Sequence, residues 1–200
     1  MARLSLNKAQ LAREKGSLAM YRRYLPSLDL KRKQLMAERK KTEARLAEID
    51  AAIAERIETI GAEIPMLANT DIDLDGLARL TKVEIGERNM VGQRLPVVES
   101  VEIEIAAYGK LNRPHWVDLV AARLHEVITL RIESQVTARQ IALLNAAVRT
   151  VTQRVNLFEK VLIPRAQANM RRIQIALSDQ DRSSVVTSKI AKRKREAAAA

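Results

Sequence analysis

Residues 141–162 read IALLNAAVRTVTQRVNLFEKVL, and within them Ile141, Leu144, Val148, Val151, Val155, Phe158 and Leu162 follow one another in alternating steps of three and four. An apolar residue about every 3.5 positions keeps one narrow seam of a helix facing a partner, so this stretch predicts a coiled-coil strand. A second ladder lies at the other end of the chain. Its every-seventh positions are Leu4, Leu11, Leu18 and Leu25, then Arg32 and Arg39, then Leu46, Ile53 and Ile60, and Tyr21, Leu28, Leu35 and Ile49 stand three residues after members of that series. Two seams at opposite ends of one chain pair with each other only if the middle turns back. The expectation is therefore a mainly α protein: a long antiparallel two-helix coiled coil of N- and C-terminal segments, with a small middle region that holds a β-hairpin and a short helix.

Composition fits that picture. Aromatic residues make up 2% of the 200, with one Trp, one Phe and no Cys. Aromatics supply much of the apolar area of a thick globular core, so a chain this poor in them suits helices packed by Leu, Ile, Val and Ala. Without cysteine, disulfides and thiolate metal or redox chemistry are excluded. No stretch reaches the roughly 20 apolar residues of a membrane-spanning helix. Residues 1–10 are polar and lack the apolar centre of a secretory signal, which predicts a soluble, cytoplasmic protein.

The charge is unevenly placed. Residues 1–45 hold 13 Lys and Arg against 4 Asp and Glu, residues 46–110 hold 6 against 13, and residues 111–200 hold 16 against 7. Antiparallel pairing of the ends would gather both termini and much of the positive charge at one tip, with the acidic middle at the other.

Three segments follow: a coiled-coil helix over 1–60, a middle region over 61–115, and a second coiled-coil helix over 116–200 with a basic, frayed tail. The first would run roughly 85 Å at about 1.5 Å per residue, with a kink expected near Arg22 to Pro26 because proline removes a helical hydrogen bond. Arg32 and Arg39 fall on the seam, where a guanidinium needs a partner, and mark a place where the seam opens or meets an acid. In the middle, Lys82 to Ile85 and Val98 to Ile105 alternate with a period of two, which predicts half-buried strands, and Asn89 to Arg94 supplies the turn between them. The last helix is expected to start after Pro114, at Trp116 to Leu124, and its seam to weaken beyond Pro164.

Catalytic signatures are missing. The only Gly-Lys pair, Gly109-Lys110, is followed by Leu111 and makes no phosphate loop. His115 and His125 are ten apart with no ligand cluster around them and read as surface or packing histidines. Asp71, Asp73, Asp75 and Gly76 match the first half of a calcium loop, yet the twelfth position is Lys82 where a bidentate acid is needed, so the run reads as an acidic turn. No cofactor is expected, and the chain is not expected to be an enzyme by itself.

Three strings carry a resemblance. Residues 154–164, RVNLFEKVLIP, closely resemble the motif R-V-N-A-L-E-x-V-x-I-P of the D subunit of V-type and A-type rotary ATPases. Residues 89–96, NMVGQRLP, are similar to that family's N-x-x-G-x-x-V-P, and Asn7 to Leu11 with Lys31 to Met36 resemble its basic N-terminal helix. The chain departs from the pattern at Leu157-Phe158 and at Tyr24-Leu25-Pro26.

The resemblance implies a non-catalytic central-stalk subunit, a rotor shaft in the bore of a hexamer of catalytic A and B subunits. It further implies a side-bound F subunit and a base subunit that seats the shaft on the membrane ring, with ion transport, of hydrogen or sodium ions, coupled to ATP synthesis or hydrolysis. The chain would be cytoplasmic and peripheral to the membrane, with no small-molecule ligand. Candidate contacts with the hexamer are Arg3, Lys8, Arg13, Lys15, Lys189, Lys192, Arg193, Lys194 and Arg195; Asn89, Gly92 and Pro96 are candidates in the hairpin. A second reading, a basic coiled-coil scaffold or adaptor that binds nucleic acid or an anionic surface, rests on the net charge of +11. Against it stand the absence of a reading motif and of aromatics for stacking.

Overall fold

The computed structural model describes residues 4–68, 74–107 and 114–198. In chain order they form α1 (Lys8–Glu63), a 3-10 turn (Pro65–Ala68), β1 (Ala78–Met90), β2 (Gln93–Ile105), α2 (Trp116–Leu157), a π turn (Phe158–Leu162) and α3 (Ile163–Ala198). The chain divides into two compact units, residues 1–32 with 150–200 and residues 33–149.

In the first unit, α1 opens on a side-chain cap: Asn7 Oδ1 accepts the backbone N–H of Gln10 at 2.7 Å, which satisfies one of the free donors at a helix start. Two pairs set the strand direction. Asn169 donates to Glu14 Oε1 at 3.1 Å, and the rings of Tyr21 and Phe158 meet edge to face with centroids 5.4 Å apart. As the position on α1 rises from 14 to 21, its partner falls from 169 to 158, so the segments run antiparallel. Leu18, Val151, Val155, Ala166 and Ile173 are buried along this seam.

Proline is accommodated differently in the two helices. Pro26 lies inside an α1 that continues to Glu63. Pro164 follows the π turn, in which the Ile163 N–H bonds to the Phe158 carbonyl, five residues back. An ordinary turn would press the proline ring on the Lys160 carbonyl, and the wider turn takes up one extra residue there. That residue shifts the register, so burial resumes at Ala166 and Ile173, the latter fully buried. The expectation of a weakened seam beyond Pro164 is thereby corrected as far as Ile173. Beyond it α3 runs to Ala198.

In the second unit the antiparallel order is repeated. Arg39 reaches Asn145 Oδ1 at 3.3 Å, Ser134 donates to Asp50 at 2.8 Å, Arg56 faces Glu126 at 3.6 Å, and Arg123 grips Glu63 through two hydrogen bonds of 3.1 and 3.2 Å. Leu35, Thr42 and Ile49 are buried seven residues apart on α1, as are Thr137 and Leu144 on α2. Burying each such leucine or isoleucine contributes about 1.5–3 kcal/mol, so the seam is the main source of cohesion here. Arg39 also pairs with Glu43 of its own helix at 3.3 Å, and Arg32, in the first unit, pairs with Asp29. The seam arginines therefore do meet acids, one turn away on their own helix.

An apolar cluster of Ile64, Leu77, Trp116, Val117, Val120 and Ala121 joins the end of α1, the start of β1 and the start of α2. From it the hairpin extends. β1 and β2 pair antiparallel from Ala78↔Ile105 to Met90↔Gln93. Val91 and Gly92 close it with φ of 53° and 75°, the backbone of a type I′ turn, and Asn89 Oδ1 accepts the Gly92 N–H at 3.0 Å. Thr81 is an extra residue on β1 and Glu99 an extra one on β2, and the two bulges cancel, so the register at the tip matches that at the base. Gly86 faces the Glu99 side chain, which occupies the space a β-carbon would take. The hairpin is tied to α2 by a 2.6 Å bond from Gln140 Nε2 to the Pro96 carbonyl, and Leu95 beside it is buried.

Candidate functional site

Among the described residues no group of three or more His, Cys, Asp or Glu is placed to hold a metal ion. His115 and His125 are both exposed. Asp71, Asp73, Gly109 and Lys110 lie outside the described residues, and Lys82 sits in β1 with its ammonium 2.6 Å from Glu84. That contact, with the Ser100 hydroxyl at 2.9 Å, holds the Glu84 carboxyl below the usual carboxylate range. No helix among the described residues is long and apolar enough to cross a membrane.

What the structure offers instead is two surfaces. The first belongs to the unit of residues 1–32 and 150–200, which carries 19 Lys and Arg against 6 Asp and Glu; the other unit, with 16 against 18, is nearly neutral. On α3 every residue from 178 to 197 is exposed, including Val185, Val186 and Ile190. Lys189, Lys192, Arg193, Lys194 and Arg195 stand on this stretch, and Lys8, Arg13 and Lys15 are exposed on α1. Lys192 pairs with Glu196 at 3.8 Å across two largely exposed side chains, a contact that water and salt weaken. Arg3 lies outside the described residues. Valine, isoleucine and five cations thus share one exposed stretch of helix.

The second surface is the hairpin. Asn89 and Gly92 are exposed at its tip, where they bond to each other, and half-buried Pro96 gives its carbonyl to Gln140. These three residues shape and seat the hairpin. Leu80, Ile85 and Ile105 point apolar side chains to solvent.

The seam residues occupy a graded series. Leu18, Leu35, Ile49, Ile53, Leu144, Val151 and Val155 are buried, while Leu11, Leu25, Leu28, Leu46, Ile141, Val148, Phe158 and Leu162 are half-buried. Sequence reasoning missed the Arg56–Glu126–Arg123–Glu63 chain of ion pairs. Its signal was Thr137, seven residues before Leu144, which carries the second ladder back toward Arg123.

The family model for the ATP synthase D subunit matches residues 10–193. The chain belongs to the ATP synthase D subunit family. It is 35% identical over 192 residues to the V-type ATP synthase D subunit of Borreliella burgdorferi, covering 96% of this chain and 95% of that one. The V-type ATP synthase D subunits of Chlamydia felis and Chlamydia abortus are 32% and 31% identical over 196 residues, covering 96% of this chain and 94% of each relative. The family resemblance of residues 89–96 and 154–164 thus falls on the I′ turn and on the π turn before Pro164, two places where the backbone departs from regular structure. ATP synthesis belongs to the complex named in these matches.

Proposed function

We propose that this chain is the central shaft of a V-type ATP synthase and transmits torque between the membrane ion-translocating ring and a catalytic hexamer of A and B subunits. The observation that carries the reading is the antiparallel pairing of the two chain ends. Torque must cross a body that resists twisting, and two helices locked by Tyr21–Phe158 and Asn169–Glu14 resist it better than one helix. The chain itself catalyses nothing in this role.

The exposed cationic stretch supports contact with the hexamer bore. Lys8, Arg13, Lys15, Lys189, Lys192, Arg193, Lys194 and Arg195, together with Arg3, are the proposed contacts. Exposed pairs are worth only about 0–1 kcal/mol each, and their field fades beyond a Debye length of about 8 Å. Such contacts can break and re-form as the shaft turns. The exposed apolar residues of the hairpin support a side-bound partner, proposed as the F subunit, and a base subunit above the ring is the proposed seat of the shaft. The protein would work on the cytoplasmic face as a peripheral part of the complex.

A disulfide between Lys192→Cys and a cysteine placed in the hexamer bore tests this. ATP turnover should stop on oxidation and return on reduction. Full turnover with the bond quantitatively formed would contradict the reading.

A further inference from the structure

A small hollow lies where the hairpin rests on the helices. Its volume is about 130 Å³, room for about four waters at roughly 30 Å³ each, and Lys41, Arg45, Arg88, Glu38 and Gln140 stand around it. The positive groups come from two elements. Lys41 and Arg45 are four residues apart on one face of α1, an arrangement that costs stability through like-charge repulsion, and Arg88 is brought up from β1. None of the three has an ion-pair or hydrogen-bond partner among the described residues. Among the residues that line it, three cations stand with one acid, Glu38, and Arg45 also borders an adjacent hollow with Glu133.

Polar capacity in the hollow is left open by its neighbours. Thr42 is buried against it, but its hydroxyl is committed to the Glu38 carbonyl at 2.8 Å. Gln140 gives one amide hydrogen to Pro96 and keeps a second. Buried Leu95 supplies an apolar floor, while Lys41, Arg45 and Arg88 are exposed and reach the hollow from its solvent side. The space is too small for a nucleoside and fits a group of about five heavy atoms.

We infer that this hollow binds a free tetrahedral oxyanion, inorganic phosphate or sulfate, which ties Arg88 of the hairpin to Lys41 and Arg45 of α1. Guanidinium groups match such an anion with paired hydrogen bonds, and the ammonium of Lys41 adds a point charge. A bound anion cancels the repulsion among the three cations and pins the hairpin to the helices. The Glu38 carboxylate opposes binding and sets its strength.

Calorimetric titration of the full chain with sodium phosphate, at ionic strength held constant with chloride, tests the site. One saturable site is expected. Arg88→Ala should weaken it about tenfold, the loss of a single charge-assisted contact, and Lys41→Ala serves as a second variant on a different element. Glu38→Gln should tighten it several-fold, whereas Lys192→Ala, far from the hollow in sequence and on the tail, should leave it unchanged. Helix content by circular dichroism verifies that each variant is folded. No saturable binding, equal weakening by Lys192→Ala, or acetate binding as well as phosphate would overturn the inference.

Discussion

Leu144 is fully buried on the seam of α2, whereas Leu157, thirteen residues on, is 46% exposed on the same helix. Leucine to alanine removes three carbon atoms. At about 0.8 kcal/mol per buried methylene, the transfer term at Leu144 is roughly 2.4 kcal/mol, and the cavity left behind raises the total to about 3 kcal/mol. Leu157→Ala loses only part of that contact and leaves no closed cavity, and alanine is the better helix former, so its cost should stay below about 1 kcal/mol. Urea denaturation of the two variants, followed by far-ultraviolet circular dichroism, measures both. Equal destabilisation, or a Leu144→Ala effect under about 1 kcal/mol, would refute the seam as the source of cohesion.

Three further outcomes are expected. A double-mutant cycle on Tyr21→Leu and Phe158→Leu should return a coupling of about 0.5–1.5 kcal/mol, the value of an edge-to-face pair, and no coupling would separate the two segments. Val91 holds a β-branched side chain at φ 53°, so Val91→Asn should stabilise the hairpin by about 1 kcal/mol in the same denaturation assay; a loss would show that the valine makes a contact worth more than its strain. Glu84 titrates below its ordinary value because Lys82 and Ser100 favour its charged form. Its folded pKa is depressed, so the stability it adds is present at neutral pH and is lost as pH falls through that lowered value. In a carbon-detected NMR titration Lys82→Ala should raise the Glu84 pKa toward the usual range, and no change would remove the ammonium as the cause.

The coiled coil was legible because heptad spacing is a one-dimensional signal: Leu35, Ile49 and Leu144 were readable as seam and are buried. The hairpin was legible at its turn, where Gly92 permits a positive φ, and less so in its length. Each strand spans 13 residues, well beyond the alternating runs at 82–85 and 98–105. The bulges at Thr81 and Glu99 break the period of two, and charged Glu87 and Arg88 mask the remainder. At Pro164 the single residue absorbed by the π turn broke the heptad count, which hid Ala166 and Ile173. Charge composition located the basic stretch on α3. The contacts proposed for it would depend on the facing surface of another chain, and the hollow beside Arg88 depends on a strand folding back over α1, neither of which any local spacing encodes.

The proposed rotation of this chain inside a catalytic hexamer has a direct test. Arg94, beside the hairpin tip and with an 80% exposed side chain, accepts a cysteine and a reporter bead without disturbing the seam. With the hexamer fixed to a surface and ATP supplied, the bead is expected to rotate in one direction and to halt when ATP is withdrawn. A bead that stays still while the same complexes hydrolyse ATP at their full rate would contradict the proposed role.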